Sequence, residues 1–197
     1  SGSGGTDCKT AKENKKRKAA EQADGTEYPV EEAEERIGGV ILTSHEEYVR
    51  KVLSSRNPNG TLKSRESNTV EFKESFNKAN TAKYAKTMAA YANNRGGYII
   101  FGVKDTPRSI IGLKNNNFDN LNQEQFSEAI NSLFAPAMDW DCGIFSIEMT
   151  SADGEIKNHK IGWIYTAEAE YKPIIAQKAN DGEKIVSGDV YYRYRAR

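Results

Sequence analysis

The sequence contains few of the side chains that bind zinc or form disulfides. Its 197 residues include two cysteines and two histidines. Cys8 and Cys142 lie far apart in the sequence, as do His45 and His159, so neither a disulfide framework nor the spaced Cys/His set of a zinc site is present. This composition is typical of a reducing environment, and we expect a cytoplasmic, intracellular protein.

Long apolar runs and net charge are also missing. No run approaches the roughly 20 apolar residues that span a bilayer, so we expect no membrane partner. Lys plus Arg and Asp plus Glu both number 28, which gives a formal net charge of zero. The chain as a whole therefore has no attraction for a polyanion, and any nucleic-acid surface must be a local patch.

Composition divides the chain into three segments. Residues 1–40 are charged and poor in large apolar side chains, and we predict that they are disordered or loosely ordered. Residues 41–60 predict an appended amphipathic helix, at about 44–55, that starts at a capping box, Ser44 to Glu47, and is followed by the turn Asn57–Gly60. We predict that residues 61–197 form the main domain.

Strand and helix patterns alternate along the main domain. A strand at Val70–Lys73 precedes a helix that begins at Asn80 or Thr81, and the nearly continuous apolar run Tyr98–Lys104 predicts a central strand buried on both faces. The other predicted elements are a hairpin partner at 109–113, a helix at 121–134, and strands at 143–149, 160–165, 173–177 and 190–195. This order predicts an α+β fold with a mixed β-sheet flanked by helices.

Acidic side chains surround the two apolar strands. Glu71 and Lys73 occupy alternate positions, so they share one face of the first strand. Glu66 precedes Glu71 by an odd number of residues, so the two carboxylates join one site only if Ser67–Asn68 form a turn or bulge. Asp105 ends the buried strand. Carboxylates beside a lysine at strand ends are typical of a metal-dependent phosphodiesterase.

We therefore predict that Glu66, Glu71 and Asp105 are catalytic and bind Mg²⁺ or Mn²⁺, since hard oxygen ligands suit these ions, and that Lys73 positions the water or the phosphate. The alternative is that Glu66 and Asp105 are ordinary capping or turn residues. Gly96–Gly97 follow a predicted helix and lack the Lys-Ser/Thr of a phosphate loop, so the sequence supports no ATP site.

The last predicted strand carries basic and aromatic side chains at alternate positions. Tyr191, Arg193 and Arg195 share one face there, and together with Lys172 they are candidates for phosphate contact and base stacking. The alternative is an exposed edge strand that is protected by its charge.

Together these motifs resemble the Schlafen core domain, also called the AlbA_2 domain. The resemblance rests on Glu66-x₄-Glu71-Phe-Lys, the run 89–105, Ile111-Gly-Leu, Tyr171-Lys-Pro and the closing segment 190–195, and it extends over about 64–195. It implies a mixed-sheet domain related to nucleic-acid binding. In catalytic members it also implies a metal-dependent ribonuclease site for tRNA-like RNA, whose roles fall on Glu66, Glu71 and Asp105. The family often has a second acid beside the last position, where this chain has Lys104.

Our leading prediction is a metal-dependent endoribonuclease for structured RNA, with RNA favoured over DNA on the resemblance alone. The alternative is a non-catalytic DNA- or RNA-binding module with a regulatory role. A third interpretation is a protein-interaction domain whose helix at 44–55 docks a partner. Because animal Schlafens pair two copies of this core into a clamp, a single copy would have to form a homodimer to build the same clamp.

Overall fold

The computed structural model describes residues 44–151 and 153–194. The predictions for residues 1–40 and for Arg195 lie outside the described residues. The predicted α+β fold with a mixed sheet is confirmed within them.

The main sheet has four strands. The first strand, β1 (Val70–Lys73), runs parallel to β2 (Gly97–Phe101). The third strand in space, β7 (Ile156–Thr166), runs antiparallel both to β2 and to β6 (Trp140–Thr150). The order across the sheet is thus β1-β2-β7-β6. All five residues of β2 are buried, as expected for a central strand.

Two short pairs of strands and three α-helices complete the described fold. The helices are α1 (His45–Ser54), α2 (Thr81–Ala92), which follows a 3₁₀ turn at Lys78–Asn80, and α3 (Gln123–Leu133). The strand pairs are β3 (Val103–Lys104) with β4 (Ser109–Ile110), and β5 (Phe134–Ala135) with β8 (Ile175–Ala176). The crossover through α2 lets β1 and β2 pair in parallel.

Apolar side chains pack on both faces of the main sheet. On one face, Val49 and Leu53 of α1 are fully buried together with Val70 and Phe72 of β1. On the other face, buried side chains of α2 and α3 pack on alternate residues of the central strands, such as Ile99, Phe101 and Ile164. The helix α1 begins as predicted, since the Ser44 hydroxyl accepts a hydrogen bond from the Glu47 N–H at 3.2 Å.

Several predicted strands have other bounds in the structure, and two of these differences affect the site. The run Tyr98–Lys104 is divided at Gly102, which has a φ of +97° and donates its N–H to the carbonyl of Lys73 at 2.8 Å. The predicted strand 190–195 is wrong within its described part, because Val190 makes only an isolated bridge to Ile175 and residues 191–194 form no strand. Tyr191 and Arg193 therefore do not lie on a common strand face, contrary to the prediction. Among the described residues, no helix has the length and apolar character needed to cross a membrane.

Candidate functional site

The candidate site is built around one buried carboxylate, Glu71, which is 8% exposed. One of its oxygens, Oε1, pairs with the Nζ of Lys73, and the other, Oε2, pairs with the Nη1 of Arg193. Lys73 lies two residues along the same strand, so strand alternation brings the two side chains together as predicted. Arg193 comes from the far end of the described chain.

Glu66 reaches β1 through a tight turn. The Ser67 N–H donates to the Val70 carbonyl at 2.9 Å, and the Ser67 hydroxyl accepts the Val70 N–H at 3.1 Å. This turn directs Glu66 back, so that its Oε1 accepts a hydrogen bond from the Phe72 N–H at 2.9 Å. The turn that the Glu66–Glu71 spacing requires is therefore present, and one oxygen of Glu66 is already used by the backbone.

The segment that carries Arg193 is held by two asparagines at the end of α2. Asn93 is buried, and its Nδ2 donates to the carbonyls of Ile174 and Tyr191, each at 3.0 Å. The next side chain, Asn94, donates its Nδ2 to the carbonyl of Arg193. Two of these bonds give the carbonyls of Tyr191 and Arg193 a partner, although residues 191–194 form no strand.

The ring of Tyr91 packs against the guanidinium group of Arg193. Its ring centroid lies 5.4 Å from the Cζ of Arg193, within the range of a cation–π contact, and its hydroxyl donates to the carbonyl of Tyr98 at 3.1 Å. This packing requires Gly97, because a Cβ there would lie 2.6 Å from the Tyr91 ring and 2.7 Å from the Thr69 carbonyl oxygen. Sequence reasoning missed Tyr91, Asn93 and Asn94 as site residues. The adjacent asparagines could have indicated that a distant segment packs here, since buried amides need hydrogen-bond partners.

Charge pairing determines the ionisation of this cluster. Burial raises the pKa of Glu71, but the hydrogen bond and charge of Lys73 and the charge of Arg193 outweigh it, so the pKa lies below the usual 4.5. Burial lowers the pKa of Arg193, but its interactions with Tyr91, Glu71 and Glu66 leave that pKa above its usual value. Glu71 and Arg193 are therefore both charged at neutral pH.

The expected metal centre does not form. Asp105 lies in the exposed turn between β3 and β4, and within the described residues no hydrogen bond or ion pair joins it to Glu66 or Glu71. Across 44–151 and 153–194, no group of three or more His, Cys, Asp or Glu side chains could hold a metal ion. Glu71 is already bound by two cations, and Glu66 by a backbone N–H. The prediction of Mg²⁺ or Mn²⁺ at these carboxylates is therefore wrong.

The other predicted contact residues lie around the same segment. Lys172 donates to the carbonyl of Asn94 at 2.7 Å and pairs with Glu168, so its charge is balanced. The Tyr191 hydroxyl accepts the Val186 N–H at 3.1 Å, and its ring contacts Phe134 edge-on. Tyr191 thus packs partly against the core instead of presenting a free face for a base.

Comparison with known proteins identifies the family. The model of the Schlafen AlbA_2 family matches residues 66–197. The chain belongs to the Schlafen AlbA_2 family. Membership suggests a function related to nucleic acids, and the match begins at Glu66, the first residue of the cluster described above.

A curated relative of this Schlafen AlbA_2 chain is an uncharacterized ATP-binding protein of Ureaplasma parvum serovar 3, which is 56% identical over 162 residues. The aligned region covers 80% of this chain and 46% of the relative, so the chain spans about half the length of that protein. The name of this relative contradicts our prediction that the sequence supports no ATP site.

Proposed function

We propose that this chain is a nucleic-acid-binding module that contacts phosphates through Lys73, Arg193 and Arg95. The observation that carries the proposal is the attachment of two cations to the two oxygens of one buried carboxylate. Glu71 holds Lys73 and Arg193 in fixed positions, so little side-chain freedom remains to be lost when a phosphate binds. Each cation has more N–H donors than its contact with Glu71 uses, because Lys73 has three N–H groups and Arg193 has five.

Exposure supports the same assignment. The side chains of Lys73 and Arg193 are 26% and 21% exposed, so both are reachable from solvent although Glu71 is buried. Arg95 is exposed and follows Asn94, whose side chain holds the backbone of Arg193. Charge-assisted hydrogen bonds from such groups fix the register of a nucleic acid without reading its sequence.

The electrostatic contribution to binding should be modest. Glu66 and Glu71 balance Lys73 and Arg193 in formal charge, so the cluster adds orientation rather than a strong positive field. If three phosphates are contacted, the slope of log affinity against log salt for a single strand should be about −2. A much steeper slope would mean that cations outside this interface dominate binding.

Fluorescence anisotropy with a labelled RNA hairpin and a DNA strand of equal length tests the proposal. Arg95→Gln and Lys73→Gln should each weaken binding and reduce the magnitude of the salt slope by about one contact. Lys83→Gln is the matched control, because Lys83 is exposed on α2 away from the cluster. Equal affinity in all four proteins would remove these residues from the interface.

The endoribonuclease activity implied by the resemblance stays a prediction, and the same RNA samples on a denaturing gel test it. Cleavage that disappears in Glu71→Gln would make the module an enzyme, whereas intact RNA with retained binding supports the non-catalytic reading. Comparison of the affinities for the RNA hairpin and the DNA strand tests the predicted preference for RNA. The mass from light scattering, measured with and without RNA, tests the predicted homodimer.

A second candidate function is nucleotide binding, which the name of the relative and its 56% identity favour. Because the chain spans about half of that protein, the nucleotide site of the relative can lie in the shared half or in the remainder. Calorimetric titration of this chain with ATP decides between the two locations.

A further inference from the structure

A second group of cations surrounds a cavity between the end of α1 and the β3–β4 hairpin. The cavity has a volume of about 370 Å³ and is lined by Asn57, Thr61, Leu62, Lys63, Arg65 and Arg108. The backbone fixes this arrangement, since the Lys63 N–H donates to the Ser55 carbonyl and the Leu62 N–H to the Arg108 carbonyl, each at 2.9 Å. Three of the lining side chains are cationic and none is acidic.

Among the described residues, the three cations form no ion pair. Lys63 and Arg65 are exposed, and neither side chain forms an ion pair or hydrogen bond within the part of the chain that the structure describes. The Nη1 of Arg108 donates to the Ser64 carbonyl at 2.7 Å. Its Nε is buried and has no hydrogen-bond partner among the described residues. An anchored guanidinium with unused donors is a preorganised anion ligand.

The positive lining is a local feature, because the whole chain has no net charge. A second cavity, of about 420 Å³, gives the contrast. Its lining includes Asp139, Glu168 and Glu170 but neither lysine nor arginine, so it would repel a phosphate. A cleft lined by charge of one sign concentrates ions of the opposite sign.

We propose that the pocket of Lys63, Arg65 and Arg108 binds phosphate groups. Two kinds of ligand present such phosphate groups: a nucleotide, through its oligophosphate chain, and a nucleic acid, through its backbone. The volume of about 370 Å³ admits a small phosphorylated ligand. The anchored guanidinium of Arg108 donates hydrogen bonds to the anion, and the exposed side chains of Lys63 and Arg65 pair with its charge at the mouth of the pocket. These residues differ from Lys73, Arg95 and Arg193, so the inference goes beyond the proposed interface and does not depend on it.

Calorimetric titration with three probes tests the site: sodium tripolyphosphate, ATP, and an RNA 12-mer without a terminal phosphate. The test variant is Lys63→Ala/Arg65→Ala. Both side chains are exposed and make no hydrogen bond or ion pair to residues 44–151 or 153–194, so the fold should be retained. The control is Lys51→Ala/Lys83→Ala, which removes the same charge from exposed positions of α1 and α2. Arg108→Lys, which keeps the charge but loses the planar fork, is the third protein.

We expect the test variant to bind its phosphate ligand at least roughly tenfold more weakly than wild type, Arg108→Lys to be weakened as well, and the control to be unchanged. Loss confined to tripolyphosphate and ATP identifies a nucleotide as the source, and loss confined to RNA identifies the backbone. Tripolyphosphate binding that survives Arg193→Gln separates this site from the proposed interface. The proposal is overturned if wild type binds none of the probes, or if the test variant binds all of them as tightly as the control.

Discussion

Replacement of Glu71 by glutamine should destabilise the protein more than any replacement of an exposed acid. The substitution keeps the shape of the side chain but removes the charge that faces Lys73 and Arg193. Removal of one partner from a fully buried ion pair costs about 3–5 kcal/mol, whereas an exposed pair contributes about 0–1 kcal/mol. Lys73 and Arg193 are about a quarter exposed, at 26% and 21%, and can partly rehydrate.

An intermediate loss of about 1–3 kcal/mol is therefore expected for Glu71→Gln. A domain of this size would lose roughly 2–12 °C in Tm. Urea denaturation and calorimetry at pH 7 measure both quantities. The control is Glu168→Gln, because Glu168 forms a comparable pair with Lys172 but its side chain is 33% exposed. Stability losses of equal size in the two variants would refute the argument that burial makes the Glu71 cluster important.

The difference between wild type and Glu71→Gln should also depend on pH. The pKa of Glu71 in the folded protein is below its usual 4.5, so its contribution is complete above that value and is lost as the pH falls through the folded pKa. The stabilities of wild type and variant should converge in acid and be furthest apart near neutrality. A difference that grew on acidification would show that the paired carboxylate is not the cause.

Three further perturbations have defined outcomes. Asn93→Ala removes the buried amide that binds the carbonyls of Ile174 and Tyr191, and should cost about 2–6 kcal/mol in urea denaturation, since each of the two orphaned carbonyls costs about 1–3 kcal/mol. Gly97→Ala should cost at least about 1–3 kcal/mol through overpacking against Tyr91, whereas Gly182→Ala, whose Cβ would meet no atom closer than 3.5 Å, should be tolerated. Burial, and to a smaller extent the charge of Asp141, raises the pKa of Cys142 to about 11. In a Cys8→Ser variant at pH 8, the Cys142 thiol should therefore react with an alkylating reagent roughly a hundredfold more slowly than free cysteine does.

Local patterns in the sequence predict much of the fold because they act over a few residues. The alternation of Val70–Lys73 predicts both the strand and the common face of Glu71 and Lys73, and the structure has both. The Ser44 capping box and the buried run beginning at Tyr98 likewise depend on neighbours along the chain. Such signals require no knowledge of which distant residue lies opposite.

The parts that sequence reasoning missed depend on contacts over long separations. Alternating residues at 190–194 resemble a strand, but Asn93 and Asn94, about one hundred residues earlier, bind the carbonyls of that segment. The same limit applies to Asp105. The end of an apolar strand suggested that its carboxylate would face the other acids, whereas the turn between β3 and β4 leaves it exposed.

The position of Arg193 explains why the carboxylates of this chain are a poor guide to metal chemistry. A glutamate beside a lysine on a strand suggests a metal-binding site. That interpretation assumes that no other cation pairs with the carboxylate oxygens of the glutamate. Here α2 ends in two asparagines that hold residues 191–194 beside β1, and Tyr91 and the Ser67 carbonyl fix the guanidinium on Glu71. In the proposed interface, the carboxylate orients the two side chains that would contact phosphates. Its replacement should therefore disturb nucleic-acid affinity and stability together, and a nucleic acid bound at Lys73 and Arg193 would stabilise the attachment of that segment.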